Sequence, residues 1–477
     1  MLFNSLIFLF IFLPAALIIY YLCDLKMFRK EDEQLQKRQT AQNVILIIFS
    51  FSFIAWANVD HVKVLISLIL LNYIIGFSKH ECKTVLLAGV AYNLYILIKY
   101  KYLSLILSTL KTGNSVGLLA PLGISFIIFH CISYLMDLYQ DKEEPEHSLL
   151  CFALYIVFFP KLIQGPIVKY RDMRAQLRHR SRVNSDNLLK GTERFIIGLG
   201  KKVLVADLLG ETVSEIFNLA LGWGVDIPTA WIGCLAYTMQ IYMDFSGYSD
   251  MALGLGMMFG FHFEENFNFP YRSKSITEFW RRWHISLGSW FREYLYIPLG
   301  GNRRGNVYIN LFIVFLATGI WHGAGLLFLL WGAGHGLCVV FERRIRDTAW
   351  YRKIPGMLKW AVTMLLVSIG WLTFRLSDTG QMRLYLSSMT GAGSKATGYL
   401  PFTWQYFMHG RLLFLMVFCI LGILLLGNEK IQEQYKIMVS SSLGLQIIKY
   451  LFLITVWILS FVTIVATEYS PFIYFQF

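Results

Sequence analysis

The stretch TGIWHGAG sets His322 between two apolar runs, Asn306 to Ile320 and Leu326 to Phe341. An ionisable side chain inside a bilayer is costly, so function is a better default for it than packing alone. The ordinary pKa of an imidazole is about 6.5, and removal from water disfavours the imidazolium. A neutral ring can take a proton from a hydroxyl, the step that acyl transfer to oxygen requires. Gly319, Gly323 and Gly325 strip side chains from around Trp321 and His322, letting the backbone bend and other groups approach.

A second histidine, His284, lies in SKSITEFWRRWHISLGSWFREYLYIPLGG. Ser275 followed by Glu278 reads as a capping box, which predicts a helix opening there. On that helix Trp280, His284, Leu287 and Phe291 share one face at spacings of three and four, with Arg281, Arg282 and Arg292 turned elsewhere. An amphipathic helix at the inner leaflet with snorkelling arginines accounts for the pattern, except for His284.

Upstream, YTMQIYMDFSGYSDMALGLGMMFGFHFEENFNFPYRS places Asp244, Ser246, Tyr248, Ser249 and Asp250 in apolar surroundings. Buried carboxylates must be paired or protonated, so Asp244 and Asp250 are expected to hold neighbouring helices or arginines. Gly254, Gly256 and Gly260 form GxGxxxG with no strand before it, which points to helix packing rather than a nucleotide loop. His130 and His335 complete the histidines in apolar runs, and structural hydrogen bonding is the expected role of each. No nucleophile elbow, metal-spaced His/Glu pair or phosphate loop is present, and no metal is expected.

The elements that must carry these groups are membrane helices. Of 477 residues, 56% are hydrophobic and only 15% charged. Met1 to Cys23, Val116 to Tyr139, Thr229 to Phe245, Met357 to Phe374, Arg411 to Gly427 and Ile447 to Thr467 are long enough to cross a hydrocarbon core of about 30 Å, while Val44 to Ala57 and Val62 to Phe77 are marginal. The fold class is therefore an all-α polytopic membrane protein of roughly ten to twelve helical segments, some short, amphipathic or re-entrant. MLFNSLIFLF has no basic region before it and Asp24 after it, so it reads as a retained first span rather than a removable signal peptide. The formal charge of +13 sits in short loops between apolar runs, so it encodes topology and lipid-surface contact rather than nucleic-acid binding. The seven cysteines show no paired spacing.

Basic clusters at 26–38, 169–182, 272–304, 343–359 and 430–449 are expected on the cytoplasmic side, and the acidic QDKEEPEHS (140–148) on the outside. One crossing then joins the acidic stretch to 169–182, and later parity carries the C-terminus outside. Before Gln140 the count misses by one, so at least one of 44–57, 62–77, 84–98 or 103–110 does not fully span. No repeat and no long hydrophilic domain is visible. The chain reads as one membrane domain, with N-terminal helices 1–140, a motif-bearing core 141–375, and C-terminal helices and tail 376–477.

From FPKLIQGPIVKYRDM through GLGKKVLVADLL, YTMQIYMDFSGYSDMALGLG, FNFPYRSKSITEFWRRWHISLGSWFREYLYIPLGGNRRG and GIWHGAG to WGAGHG, the chain resembles the membrane-bound O-acyltransferase (MBOAT) family, in its bacterial alginate O-acetyltransferase-like branch. The resemblance implies a helical bundle around a central funnel or tunnel, where a cytoplasmic thioester meets an acceptor from the other side. It implies that His322 is catalytic and His284 its companion, and that a basic rim including Arg281, Arg282, Trp283 and Arg292 receives acetyl-CoA. The family position matching His130 carries Gln, so no family role transfers there. It further implies O-acetylation of an exported or envelope polysaccharide, completed by an extracytoplasmic SGNH-type partner, in a bacterial cell membrane. D-alanyl transfer to teichoic acid and a non-enzymatic channel or scaffold are the alternatives.

The terminal FIYFQF also resembles the Phe-x-Tyr-x-x-Phe tail of partner peptides in D-alanyl transfer and of several polysaccharide acetyltransferases, with Phe472, Tyr474 and Phe477 matching. There the tyrosine is an acyl carrier. An aromatic belt at the membrane surface is the competing reading.

Overall fold

The computed structural model describes residues 1–26, 32–78, 82–103, 120–140, 144–180, 185–392, 402–408, 410–467 and 472–473. Among these residues the regular elements are all helices, with one isolated extended bridge, Phe267 to Trp283. Two compact units emerge: residues 1–195 with 248–264, and residues 196–247 with 265–477.

The first unit contains α1 (Leu13–Lys26), α2 (Asp32–Ala57), α3 (Val59–Phe77), α4 (Lys83–Leu97), α5 (Ile124–Gln140), α6 (Leu149–Val157) and α7 (Tyr170–Arg178). Its core is aromatic: Phe3, Phe8, Phe12 and Phe53 pack with Phe159, and Phe3 stacks on Tyr248 at 4.9 Å. Asn58 caps α3 by accepting the Asp60 amide at 2.8 Å. Between α3 and α4, the fully buried Asn72 and Asn93 exchange amide hydrogen bonds of 3.1 and 2.7 Å. Each amide would be costly alone in an apolar interior, so the pair pins the register of the two helices.

Residues 144–148 of the acidic stretch lie where α7 ends, which corrects the expected crossing. Arg178 Nη2 is 2.6 Å from Glu146 Oε1 and Arg174 Nη2 is 3.9 Å from Glu144 Oε2. The Tyr73 hydroxyl of α3 donates to the His147 carbonyl at 2.7 Å, and Gln39 of α2 donates to the Arg180 carbonyl at 3.0 Å. The start of α2 and the ends of α3 and α7 therefore meet beside residues 144–148. The nine residues of α6 are ~14 Å long, under half a bilayer core, and the buried segment 158–169 brings the chain back. Residues 149–169 are re-entrant. The acidic composition of 144–148 reports the arginines it pairs with, not the face opposite them.

The second unit follows α8 (Ser185–Gly200), whose first residues belong to the first unit, and a π-helical turn, Lys201–Ala206. It contains α9 (Asp207–Gly222), most of α10 (Ile227–Met258), two short helices α11 (Ile276–Arg282) and α12 (Ile285–Phe291), then α13 (Val307–His322), α14 (Leu326–Ile345), α15 (Gly356–Arg375), α16 (Thr379–Thr390), α17 (Gly410–Leu426), α18 (Glu429–Ser441) and α19 (Leu443–Ala466).

Among the described residues, Gln36–Ala57, Val59–Phe77, Leu326–Ile345, Gly356–Arg375 and Leu443–Ala466 are long and apolar enough to cross a membrane. Shorter apolar helices are Phe8–Cys23, Ile124–Gln140, Leu149–Lys161 and Val307–His322, while α17 and α18 are long and apolar enough only as a pair, which is bent by 86°. The marginal segments 44–57 and 62–77 thus lie in helices of spanning length. Residues 104–110 are outside the described residues.

Candidate acyl-transfer site

The helix predicted to run on from Ser275 begins as expected and then stops. Ser275 Oγ accepts the Glu278 amide at 3.0 Å, and Glu278 Oε2 accepts the Lys274 amide at 2.9 Å. At His284 the backbone turns left-handed, φ 47° and ψ 55°, and α12 starts after it. The cause is a tertiary pairing with residues 266–268. The Ile285 amide donates to the Asn266 carbonyl at 2.9 Å, and the Asn268 amide to the Arg282 carbonyl at 2.9 Å. The Asn266 side-chain oxygen accepts from the Ser286 amide (3.2 Å) and hydroxyl (2.9 Å) and lies 3.1 Å from His284 Nδ1. These bonds hold a conformation that an L-residue adopts at a cost, and such strain concentrates at functional positions.

The imidazole so displayed is buried, against Phe245 at 4.8 Å between ring centres and facing Trp321 at 6.5 Å. Its Nε2 has no hydrogen-bond partner among the described residues. His284 lies outside the helices of spanning length, and burial pushes its pKa down to about 3, so the ring is neutral at physiological pH. A neutral, oriented imidazole with one nitrogen open can accept a proton or hold a polar substrate atom.

His322 arrives from the other direction, as the last residue of α13. The α13–α14 hairpin closes tightly because Gly319 and Gly332 face each other. A Cβ on Gly319 would run into the Phe328 carbonyl, and one on Gly332 would lie 2.5 Å from the Phe315 carbonyl oxygen. The His322 ring is enclosed by Trp321 (4.8 Å), Trp331 (5.1 Å) and Phe374 (5.1 Å). Trp321 therefore touches both histidine rings. His335 continues the row: its ring is 5.0 Å from Trp331, and its Nδ1 accepts from Trp280 Nε1 at 3.4 Å, the structural hydrogen bond expected of it.

The other sequence-selected residues divide. Arg281 and Arg292 are exposed, whereas Arg282 is engaged by Glu278 Oε1 at 2.9 Å and the Asn268 carbonyl at 3.2 Å. Trp283 is not on a rim: it is 1% exposed and packs on Trp371, Phe267 and Phe279, so the ring belongs to the core that supports the His284 turn. His130, in the first unit, is buried with neither ring nitrogen partnered among the described residues, so the expected hydrogen bonds are not made there. Asp250 is paired with Arg194 at 2.7 Å.

Asp244 has the most telling surroundings. Its Oδ1 is 2.7 Å from Lys202 Nζ, which also lies 2.7 Å from Asp207 Oδ1, and its Oδ2 accepts the backbone amide of Ile473 at 3.0 Å. Phe472 is fully buried, with the Lys202 ammonium 4.5 Å from its ring centre. The C-terminal segment is thus part of the interior at these two residues. Tyr474 and Phe477 lie outside the described residues.

Sequence reading did not single out Asn266, Lys202 or Ile473. Asn266 stands between charged and aromatic neighbours with no local pattern to mark it. Lys202 entered only as part of GLGKKVLVADLL, with no role of its own.

A neutral His284 and a buried His322, both set among aromatic rings, suit the removal of a proton from a hydroxyl during acyl transfer. The chain belongs to the MBOAT, membrane-bound O-acyltransferase family, whose profile matches residues 8–377. The protein is a multi-pass membrane acyltransferase.

Among individual proteins, it is 37% identical over the full length of both chains to the protein named "probable alginate O-acetylase" of Pseudomonas putida. Its Pseudomonas aeruginosa namesake is 42% identical over 79% of this chain and 72% of its own. A peptidoglycan O-acetyltransferase of Helicobacter pylori is 33% identical over 82% of this chain and 80% of its own.

Proposed function

We propose that the protein moves an acetyl group from cytoplasmic acetyl-CoA through a bacterial cell membrane for O-acetylation of an exported or envelope polysaccharide. The similarity to O-acetylating relatives across the whole chain supports the acceptor class, and the observation that carries the chemistry is Trp321 in contact with both His284 and His322.

In this reading His322 takes the proton of an acceptor hydroxyl as its oxygen attacks the thioester carbonyl. The carbon–oxygen bond forms, the carbon–sulfur bond breaks, and the proton passes to the departing thiolate. His284, whose Nδ1–H faces the Asn266 oxygen, leaves Nε2 as an acceptor that positions an N–H or O–H of the reacting groups. The exposed Arg281 and Arg292 supply charge for the donor's phosphates.

Tyr474 is the first acceptor. A phenol has an ordinary pKa near 10 and needs a base, which His322 supplies. The acetyl ester on the tail then passes to an SGNH-type partner outside the membrane, which places it on sugar. The burial of Phe472 and Ile473 supports this over an aromatic belt, because belt residues sit at the lipid interface rather than on a buried carboxylate. The C-terminus enters from the outer side.

The test is ester-linked acetate on the exported polymer in a His322→Ala strain, with the protein's membrane level held equal. Loss of acetate is expected. Undiminished acetate would mean that the histidines are structural and the protein a scaffold, and a modifying group with the mass of D-alanine would move the acceptor to teichoic acid.

A further inference from the structure

We propose that Asp244, clamped by Lys202, is the positioning residue for the C-terminal tail: it fixes the backbone at Ile473, and acylation of the tail depends on that hold. The inference rests on Tyr474 as acyl acceptor and adds the device that holds it.

Three observations converge. Lys202 and Asp244 are each 1% exposed, so their charges have left water, and only close pairing makes that tolerable. The pairing is close, 2.7 Å, and Lys202 reaches Asp207 at the same distance from within the π-helical turn Lys201–Ala206. That turn is a local widening of the kind found at functional positions. One carboxylate oxygen of Asp244 is thus committed to Lys202, and the other is spent on the Ile473 amide.

A buried ion pair built only for stability has no need of an acceptor turned toward a chain terminus. Here the terminus supplies two contacts, the Ile473 amide on the carboxylate and the Phe472 ring over the ammonium. The ion pair is a socket, and the tail is its plug. Fixing the residue next to a reacting hydroxyl is a means of holding near-attack geometry, where displacement by about 1 Å costs on the order of 100-fold in rate.

Ile473→Pro tests this most directly, because it deletes the amide donor and leaves Lys202, Asp207 and Asp244 untouched. The full-length protein in lipid nanodiscs is incubated with acetyl-CoA and quenched in acid, and the acetylated fraction of its C-terminal peptide is read by mass spectrometry, with Tyr474→Phe as the blank. Wild type is expected to carry acetyl on this peptide. Ile473→Pro is expected to carry about 10-fold to 100-fold less at an early time point, at a temperature where both proteins are folded by their melting curves. Asp244→Ala should match Ile473→Pro, whereas Asp244→Glu, which keeps one carboxylate oxygen for Lys202 and one for the amide, should recover part of the acetylation.

A wild-type protein that acetylates polymer but never its own tail would overturn the carrier reading and the socket with it. Tail acetylation in Ile473→Pro equal to wild type would overturn the socket alone and leave Tyr474 as carrier. If Asp244→Ala does not accumulate in the membrane, the Ile473→Pro result still decides.

Discussion

Asn266 Oδ1 lies 3.1 Å from Nδ1 of His284 and at the same time accepts the amide and hydroxyl of Ser286, so one side chain both orients the imidazole and ties down the turn that presents it. Asn266→Ala should leave these groups without their acceptor, lowering stability by about 1–3 kcal/mol. Acetylation should fall as well. His284→Gly should separate the two effects, since glycine accepts the left-handed backbone while removing the ring. Its melting temperature should stay near wild type while acetate on the polymer drops. Melting curves of the purified variants and an ester assay on the polymer decide this.

The His284 pKa gives a pH signature. Its folded value of about 3 lies below the ordinary 6.5, so below pH 6.5 the unfolded chain binds a proton that the folded chain refuses. Stability from this group is complete above pH 6.5 and declines as pH falls from there toward 3. Melting temperature should drop between pH 7 and pH 5, and the drop should be smaller in His284→Gly. An equal drop in both proteins would remove His284 as its source.

The α13–α14 hairpin should tolerate no added carbon at its closest approach. Gly332→Ala would place Cβ 2.5 Å from the Phe315 carbonyl oxygen, forcing the helices apart at a cost of about 1–3 kcal/mol and shifting the His322 enclosure. Gly334→Ala, two residues away and facing no atom within 4 Å, should be silent in both stability and acetylation.

Asn72 and Asn93 should behave as a unit. Asn72→Leu or Asn93→Leu alone strands one buried amide, costing about 1–3 kcal/mol, whereas the double change removes both polar groups and should cost less than the sum. A double-mutant cycle on melting stability measures the coupling.

The re-entrant segment predicts sidedness. With the native cysteines replaced, Glu144→Cys and Arg174→Cys should react with a membrane-impermeant maleimide from the same side of sealed vesicles. Opposite-side labelling would restore the crossing between them.

Much of the site was legible in the sequence because its groups are locally conspicuous. His284 and His322 stand out wherever apolar runs surround an imidazole, and the Ser275–Glu278 cap marks a helix start through residues only three apart. The resemblance implies one rim of Arg281, Arg282, Trp283 and Arg292, but the folded chain separates Trp283 from the others. Burial depends on what packs from elsewhere, and Trp371 and Phe267 claim the Trp283 ring.

By itself, then, the sequence determined a helical membrane protein, the two imidazoles, and an aromatic tail worth watching, because hydropathy, capping and residue type act over a few positions along the chain. Only the tertiary structure decided that the helix breaks at His284, that residues 149–169 turn back, and that the tail is seated on Asp244. Each of these depends on a hydrogen bond or ion pair between residues distant in sequence: Asn266 with Ser286, Glu146 with Arg178, and Asp244 with Ile473. Such partners are chosen by the shape of the folded interior, where an unpaired polar group is too costly to leave.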